Sequence, residues 1–409
     1  MSHLITRIAS FVLAFGFFIS CSTLLSNKEK PKKSTDNLSQ TQIQKRLDTL
    51  DQQIASGKDT PNIFYQKGLL LARLAQKKKA PSDRTSIYRN VFETFKKAEA
   101  LYPDSTEKKT EKIQQLLKVS WSNEHNQGVQ ILQKDSTLSS SDYQTAAAHF
   151  KNATIIIPDS SISYKMEAQA YYKDQQMDKA ITVLEEARNN VRDVPDKLLE
   201  QLAFLYSETK QPRKAITIYK QIETASKQNL NMIHGLANAY IAAEEHQQAV
   251  GLLEMLIKKE PGNVIYQQTL ATELYSVASQ QMDTVTAKLR NGSNLKETNF
   301  ETADSLLSKA EQQFKQLVKE NPEDLDIKRS FATFYQNSAS EYQQLLPRVN
   351  KNQKTIIEEQ ITQSLSSSIP LLEELVKKKN SEKSAWEELY QAYTYLGMKE
   401  KAANAKSKF

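Results

Sequence analysis

The side chains able to carry chemistry are few and scattered. Outside the first twenty residues the histidines are His125, His149, His234 and His246, with no HExxH and no pair at metal-ligand spacing. Cys21 is the only cysteine, so neither a thiolate metal cluster nor a disulfide is available, and no metal or cofactor is expected. No G-x-S-x-G, G-x-x-x-x-G-K-[ST] or G-x-G-x-x-G occurs. The paired acids Glu185-Glu186, Glu244-Glu245, Glu358-Glu359 and Glu373-Glu374 are adjacent in sequence. Neighbours on a helix diverge by about 100°, so such pairs cannot act together on one substrate and read as solvated faces. The expectation is that the chain is not an enzyme and has no small-molecule substrate.

Cys21 instead points to covalent modification. Arg7 precedes an apolar run of 13 residues, Ile8 to Ser20, which is too short to cross a bilayer and suits an export signal. The run ends Phe18-Ile19-Ser20-Cys21, which resembles a bacterial lipoprotein signal, with Ile19 and Ser20 fitting the lipobox and Phe18 standing where leucine is usual. That resemblance implies cleavage after residue 20 and lipidation of Cys21. Several acyl chains, at roughly 0.8 kcal/mol per buried methylene, would hold the protein at a membrane. The alternative is a chance cysteine in an ordinary export signal, or a free buried thiol. Ser22 after the cysteine resembles the sorting address for the outer membrane, facing the periplasm, in a Gram-negative cell. Residues 21–40 are polar, carry the Lys28–Lys33 cluster and read as a disordered tether.

The remainder must be helical. Nine glycines and eleven prolines in 409 residues, with abundant Ala, Leu, Gln, Lys and Glu, favour helix throughout. A hydrophobic share of 39% is low for a globule and suits an elongated solenoid whose units each stay half in water.

Between Ser163 and Pro261 three segments repeat one spacing. Tyr164, Ala168, Tyr171, Ala180, Leu184 and Ala187 form one set, and Leu199, Leu202, Ala203, Tyr206, Ala215, Tyr219 and Ile222 the next. Ile233, Leu236, Ala237, Tyr240, Ala249, Leu253 and Leu256 form the third, closed by Pro261. This pattern resembles the tetratricopeptide repeat, a helix–turn–helix of 34 residues in which large residues slot against small ones at the helix crossing.

The resemblance implies an all-α, right-handed α-solenoid with two elongated hairpins in its C-terminal half. The expected organisation is a signal over 1–20, a tether over 21–40, and a capping helix over 41–60 whose stripe is Ile43, Leu47, Leu50 and Ile54. Two irregular units then cover 61–158, three regular units 159–262, two expanded units 263–380 and a last unit 381–409. In the expanded units the second-helix residues (Ala310, Phe314, Leu317; then Leu372, Leu375) come late. The intervening residues have helical composition, so each insertion is expected to lengthen both helices of its hairpin by about three turns, letting neighbouring hairpins pack as a blade. Pro370 should kink the second of these long helices.

The net charge of +7 arises from small clusters such as Lys77–Lys79, Lys108-Lys109, Lys258-Lys259 and Lys377–Lys379. With an export signal in front, nucleic acid is not the expected partner. The family resemblance implies that first helices line an inner groove. Carried onto this chain, the groove residues are Lys165, Gln169, Tyr172, Lys173, Glu200, Phe204, Asn231, His234 and Asn238. The implied function is a membrane-anchored scaffold or adaptor that holds protein partners in the cell envelope, in this groove or between the long hairpins. The alternative is a cell-wall or glycan-associated regulator binding through the lysine clusters.

Overall fold

The computed structural model describes residues 38–102, 107–134, 137–222, 229–378 and 383–409. The signal-like run, Cys21 and the Lys28–Lys33 cluster lie outside the described residues. Those that are described form seventeen α-helices, three short 3₁₀ segments and no strand. A first helix, α1 (Gln40–Ala55), is followed by hairpins α2 (Pro61–Lys77)/α3 (Thr85–Leu101), α4 (Glu107–Leu132)/α5 (Ser140–Ile156) and α6 (Ser161–Lys173)/α7 (Met177–Asn190). Then come α8 (Asp196–Glu208)/α9 (Pro212–Gln221), α10 (Leu230–Ala242)/α11 (His246–Lys259) and α12 (Val264–Arg290)/α13 (Phe300–Glu320). The last two are α14 (Leu325–Leu345)/α15 (Lys351–Lys378) and α16 (Lys383–Tyr395)/α17 (Lys399–Lys406). Helices pack mainly on their sequence neighbours, which is how an α-solenoid is built.

Local chemistry sets the ends. Ser39 and Gln42 form a capping box at the start of α1, and Ile43, Leu47 and Leu50 are buried against α2. Gly57, at φ +81°, turns the chain out of α1. Pro61 does not close that helix but opens α2, where its missing N–H costs nothing at the first turn.

At each crossing a small residue admits a large one. A Cβ on Gly128 would lie 2.7 Å from the Phe150 ring, so glycine is required there for α4 and α5 to approach. In the regular units the small residues are Ala168, Ala203 and Ala237, and the position just before them is a buried leucine, Leu202 and Leu236, as is Leu270 in α12. Glu167 holds that position in α6.

The expanded hairpins are helical throughout, as the composition predicts, but their lengthening is unequal. α12 and α15 have 27 and 28 residues, whereas α13 and α14 have 21 each. The difference is absorbed by the connections, which include 3₁₀ segments at Leu295–Glu297 and Leu346–Arg348. The two hairpins pack together through a ring cluster in which Phe314 stacks on Phe331 at 5.3 Å and Phe331 on Tyr335 at 4.5 Å. Tyr275 meets Phe334 edge-on at 5.9 Å. α15 continues through Pro370 as one helix. In the last hairpin Tyr390, at a crossing position that favours a small residue, stays half-buried and packs edge-on against Phe409.

Candidate functional site

The polar residues fall into three settings: enclosed clusters, ties between units, and one stripe with open valences. The first enclosed cluster is centred on Glu124, which is 1% exposed. Arg84, in the 3₁₀ segment Pro81–Arg84, donates to Glu124 Oε1 at 2.9 Å and holds the Lys78 carbonyl at 3.0 Å. His149 Nδ1 lies 2.7 Å from Glu124 Oε2, and Asn152 donates to the same oxygen at 3.2 Å and to the Pro81 carbonyl at 2.9 Å. Burial pushes the Glu124 carboxyl up, but hydrogen bonds from His149 and Arg84, the guanidinium charge and Asn152 outweigh it and hold the pKa below its usual value. Arg84 and the Pro81 carbonyl thereby fasten the α2/α3 connection onto α4 and α5.

Beside it, Trp121 Nε1 donates to Ser160 Oγ at 3.1 Å and Ser163 Oγ at 2.9 Å, while its ring stacks on His125 at 5.2 Å. Ser160 also donates to Ser163, whose own hydroxyl is 3.0 Å from His125 Nδ1. With Ser163 already accepting twice, its proton goes to Nδ1, and His125 is the neutral Nε2–H tautomer. Burial accordingly lowers the pKa of His125.

Glu167 is the second enclosed acid. It is 1% exposed, and its hydrogen-bond partner is the Thr154 hydroxyl at 3.4 Å. Burial raises its pKa to about 8, with Lys151 opposing and Glu186 adding to the rise. A carboxyl whose folded pKa exceeds its unfolded value binds the extra proton in the folded state. Stability from this group is therefore complete below about pH 4.5 and falls as pH rises towards 8. Glu167→Gln should flatten that decline, leaving the variant more stable than the parent at pH 8 by on the order of a few kcal/mol. Urea denaturation at pH 5 and pH 8 checks it; parallel pH dependence in parent and variant would refute it.

The ties between units correct one sequence-based expectation. Two of the four acid pairs are not merely solvated faces. Glu185 accepts from Tyr206 at 2.6 Å, and Glu373 from Tyr393 at 2.6 Å. Each tyrosine lies on the first helix of one hairpin and each acid on the second helix of the hairpin before. Glu311 and Tyr335 repeat the contact at 2.7 Å. Burial, then the Glu185 hydrogen bond and charge, push the Tyr206 hydroxyl up to about 12. Glu186 holds Lys151 at 2.6 Å, and Glu374 holds Lys328 at 2.6 Å. Successive residues thus reach two different neighbours. Three of the four lysine clusters occupy last turns, where cations complement the helix dipole: Lys77 in α2, Lys258 and Lys259 in α11, and Lys377 and Lys378 in α15; Lys108-Lys109 falls instead in the first turn of α4.

The predicted groove residues divide along the chain. Lys165, Glu200, His234, Gln268 and Arg329 occupy equivalent positions on α6, α8, α10, α12 and α14. His234 Nε2 lies 2.9 Å from Asn238 Nδ2, its ring packs on Tyr266 at 5.6 Å, and burial lowers its pKa. Gln268 donates to Ser330 at 2.8 Å, and Arg329 grips Glu388 through both oxygens at 2.8 and 2.7 Å. Further into the long hairpins, Tyr275 and Ser279 both donate to Glu341, and Gln336 donates to Ser368. By contrast, Lys165, Gln169, Lys173 and Glu200 make no side-chain hydrogen bond or ion pair among the described residues. Tyr172 and Phe204, from successive first helices, meet edge to face at 6.0 Å beside them. Asn231 is exposed at the start of α10.

Residues 206–274 match the family model of the tetratricopeptide repeat. That stretch, which runs from the end of α8 into α12, carries tetratricopeptide repeats. Comparison with curated proteins found no match. Among solved structures, a tetratricopeptide repeat protein from Parabacteroides merdae is 12% identical, with 62% of this chain and 93% of that one covered at a TM-score of 0.36. The C-terminal part of a TPR repeat-containing protein from Cytophaga hutchinsonii is 13% identical, over 70% of this chain and 94% of that one, at a TM-score of 0.35. Nothing about a partner follows from likeness at this level. No group of three or more His, Cys, Asp or Glu able to hold a metal occurs among the described residues. No described helix is long and apolar enough to cross a membrane.

Proposed function

We propose that this protein is a scaffold that holds an extended segment of a partner protein along the first helices of its regular units. The observation carrying this reading is the contrast in polar bonding along one stripe. From His234 onward the equivalent side chains each have a side-chain hydrogen-bond partner, Asn238, Ser330 and Glu388 in turn. On α6 and α8, Lys165, Gln169, Lys173 and Glu200 keep donors and acceptors open beside the Tyr172–Phe204 ring pair. Polar groups flanking an aromatic pair suit a peptide backbone with spaced side chains.

The setting we propose is the bacterial cell envelope, with the array tethered through lipidated Cys21 to the outer membrane on its periplasmic side. The support is the Ile19-Ser20-Cys21 boundary after an apolar run, followed by Ser22. Mass spectrometry of the mature N-terminus should find Cys21 acylated; an unmodified cysteine or cleavage elsewhere would sink the anchor.

For the groove, a photo-cross-linking residue at Gln169 should capture a protein in intact membranes, and Phe204→Ala should reduce that capture several-fold. The same probe at Gln312, exposed on α13, is the control. Capture from Gln312 alone would place the partner on the long hairpins and overturn the groove reading.

A further inference from the structure

Glu200 differs from the carboxylates that tie neighbouring helices together. Glu124, Glu185, Glu273, Glu311, Glu341, Glu373 and Glu374 each accept hydrogen bonds from a neighbouring helix. Glu167, sealed in the core, accepts from Thr154. Glu200 is half-buried, carries four acceptor sites when ionised, and fills none of them from the described residues. Burial raises its pKa, and Lys197 offsets this in part. Lys197 is exposed on the same helix and forms no ion pair with it. A partly desolvated, unpaired carboxylate is unfavourable in the free protein and is relieved by a cation that docks against it.

Phe204 lies one helical turn on from Glu200, on the same face. A carboxylate and a ring set side by side match two properties of guanidinium at once. Its fork pairs with both carboxylate oxygens, and its plane lies on an aromatic face. A lysine would satisfy the charge without the fork. One unit back, Lys165 takes the place of Glu200 and reverses the sign. Packed helices stand about 8–10 Å apart, which is about three residues of extended chain.

We propose that Glu200 and Phe204 form the subsite for an arginine side chain of an extended peptide segment, with Lys165 receiving an acidic residue about three positions away. This rests on the groove reading above and specifies the partner's chemistry. The test uses the full chain and capped, fluorescein-labelled decapeptides of alanine and serine carrying one arginine and one glutamate three apart, in both orders. Matched peptides replace the arginine by lysine or glutamine. Fluorescence anisotropy should show one arginine order binding about tenfold or more tighter than its glutamine match, with lysine between. Glu200→Gln should erase the difference while circular dichroism shows the helical fold retained.

Binding without arginine preference, or a preference unchanged in Glu200→Gln, would overturn this assignment and leave the groove standing. A preference for peptides lacking the base would show that Lys165 and Lys197 dominate and would overturn it equally. No binding by any peptide, together with capture from Gln312 alone, would overturn both readings.

Discussion

Glu124→Ala should destabilise the N-terminal half of the array by about 3–5 kcal/mol, because removing one partner leaves buried charge uncompensated. Arg84, His149 and Asn152 all converge on this carboxylate, and among the described residues Arg84 and His149 form no ion pair with another acid. Glu124→Gln should cost less, since an amide oxygen still accepts one of these bonds. The pH dependence follows from the lowered pKa: this group's contribution is present above the unfolded carboxylate value and is lost as pH falls through the folded one. Urea melts at pH 7 followed by circular dichroism would check the magnitude. A loss below about 1 kcal/mol would mean that water replaces the carboxylate without strain.

The second large effect is expected in the blade. Phe314→Ala should cost about 3–5 kcal/mol. Phe314 is 2% exposed, stacks on Phe331 and contacts Phe334 at 5.5 Å, so truncation opens a void bounded by rings that cannot all move inward. Because each hairpin contacts chiefly its neighbours, the loss should be local. Hydrogen exchange should quicken across α12–α15 and remain near parental in α6–α9. Uniform acceleration along the chain would show that the array unfolds as a single cooperative unit.

Both sites bear on what the sequence could disclose. The stripes of Ala168, Tyr171, Ala203 and Tyr206 reveal the fold because burial selects residue type, and the period of 34 or 35 residues repeats that selection. The helical filling of the long insertions was legible for the same reason. Polar partnerships leave no comparable mark. Arg84 meets Glu124 across 40 residues and Asn152 meets the Pro81 carbonyl across 71, and nothing in either local pattern tells a bonded side chain from a wet one. Glu185-Glu186 looked like a solvated pair for that reason. Glu167 did leave a signal: a charge at the register where its successors are Leu202, Leu236 and Leu270. That Lys165, Glu200 and His234 hold equivalent positions was legible through the tetratricopeptide resemblance. Which positions remain open depends on bonds such as Gln268–Ser330 and Arg329–Glu388, made only when helices meet.

The unequal long helices have a consequence for how such a chain can change length. α12 exceeds the 13-residue α10 by 14 residues, about four turns, so both ends of its apolar stripe point the same way. α13 exceeds the 14-residue α11 by 7, about two turns, and stays in phase likewise. Growth in near-whole turns lets a hairpin be extended without rotating the surface it offers to its neighbours. Insertions of two or five residues would swing that surface away from the blade. The hairpins can therefore be lengthened or trimmed in steps of about seven residues, a rule of spacing that leaves the rest of the array untouched.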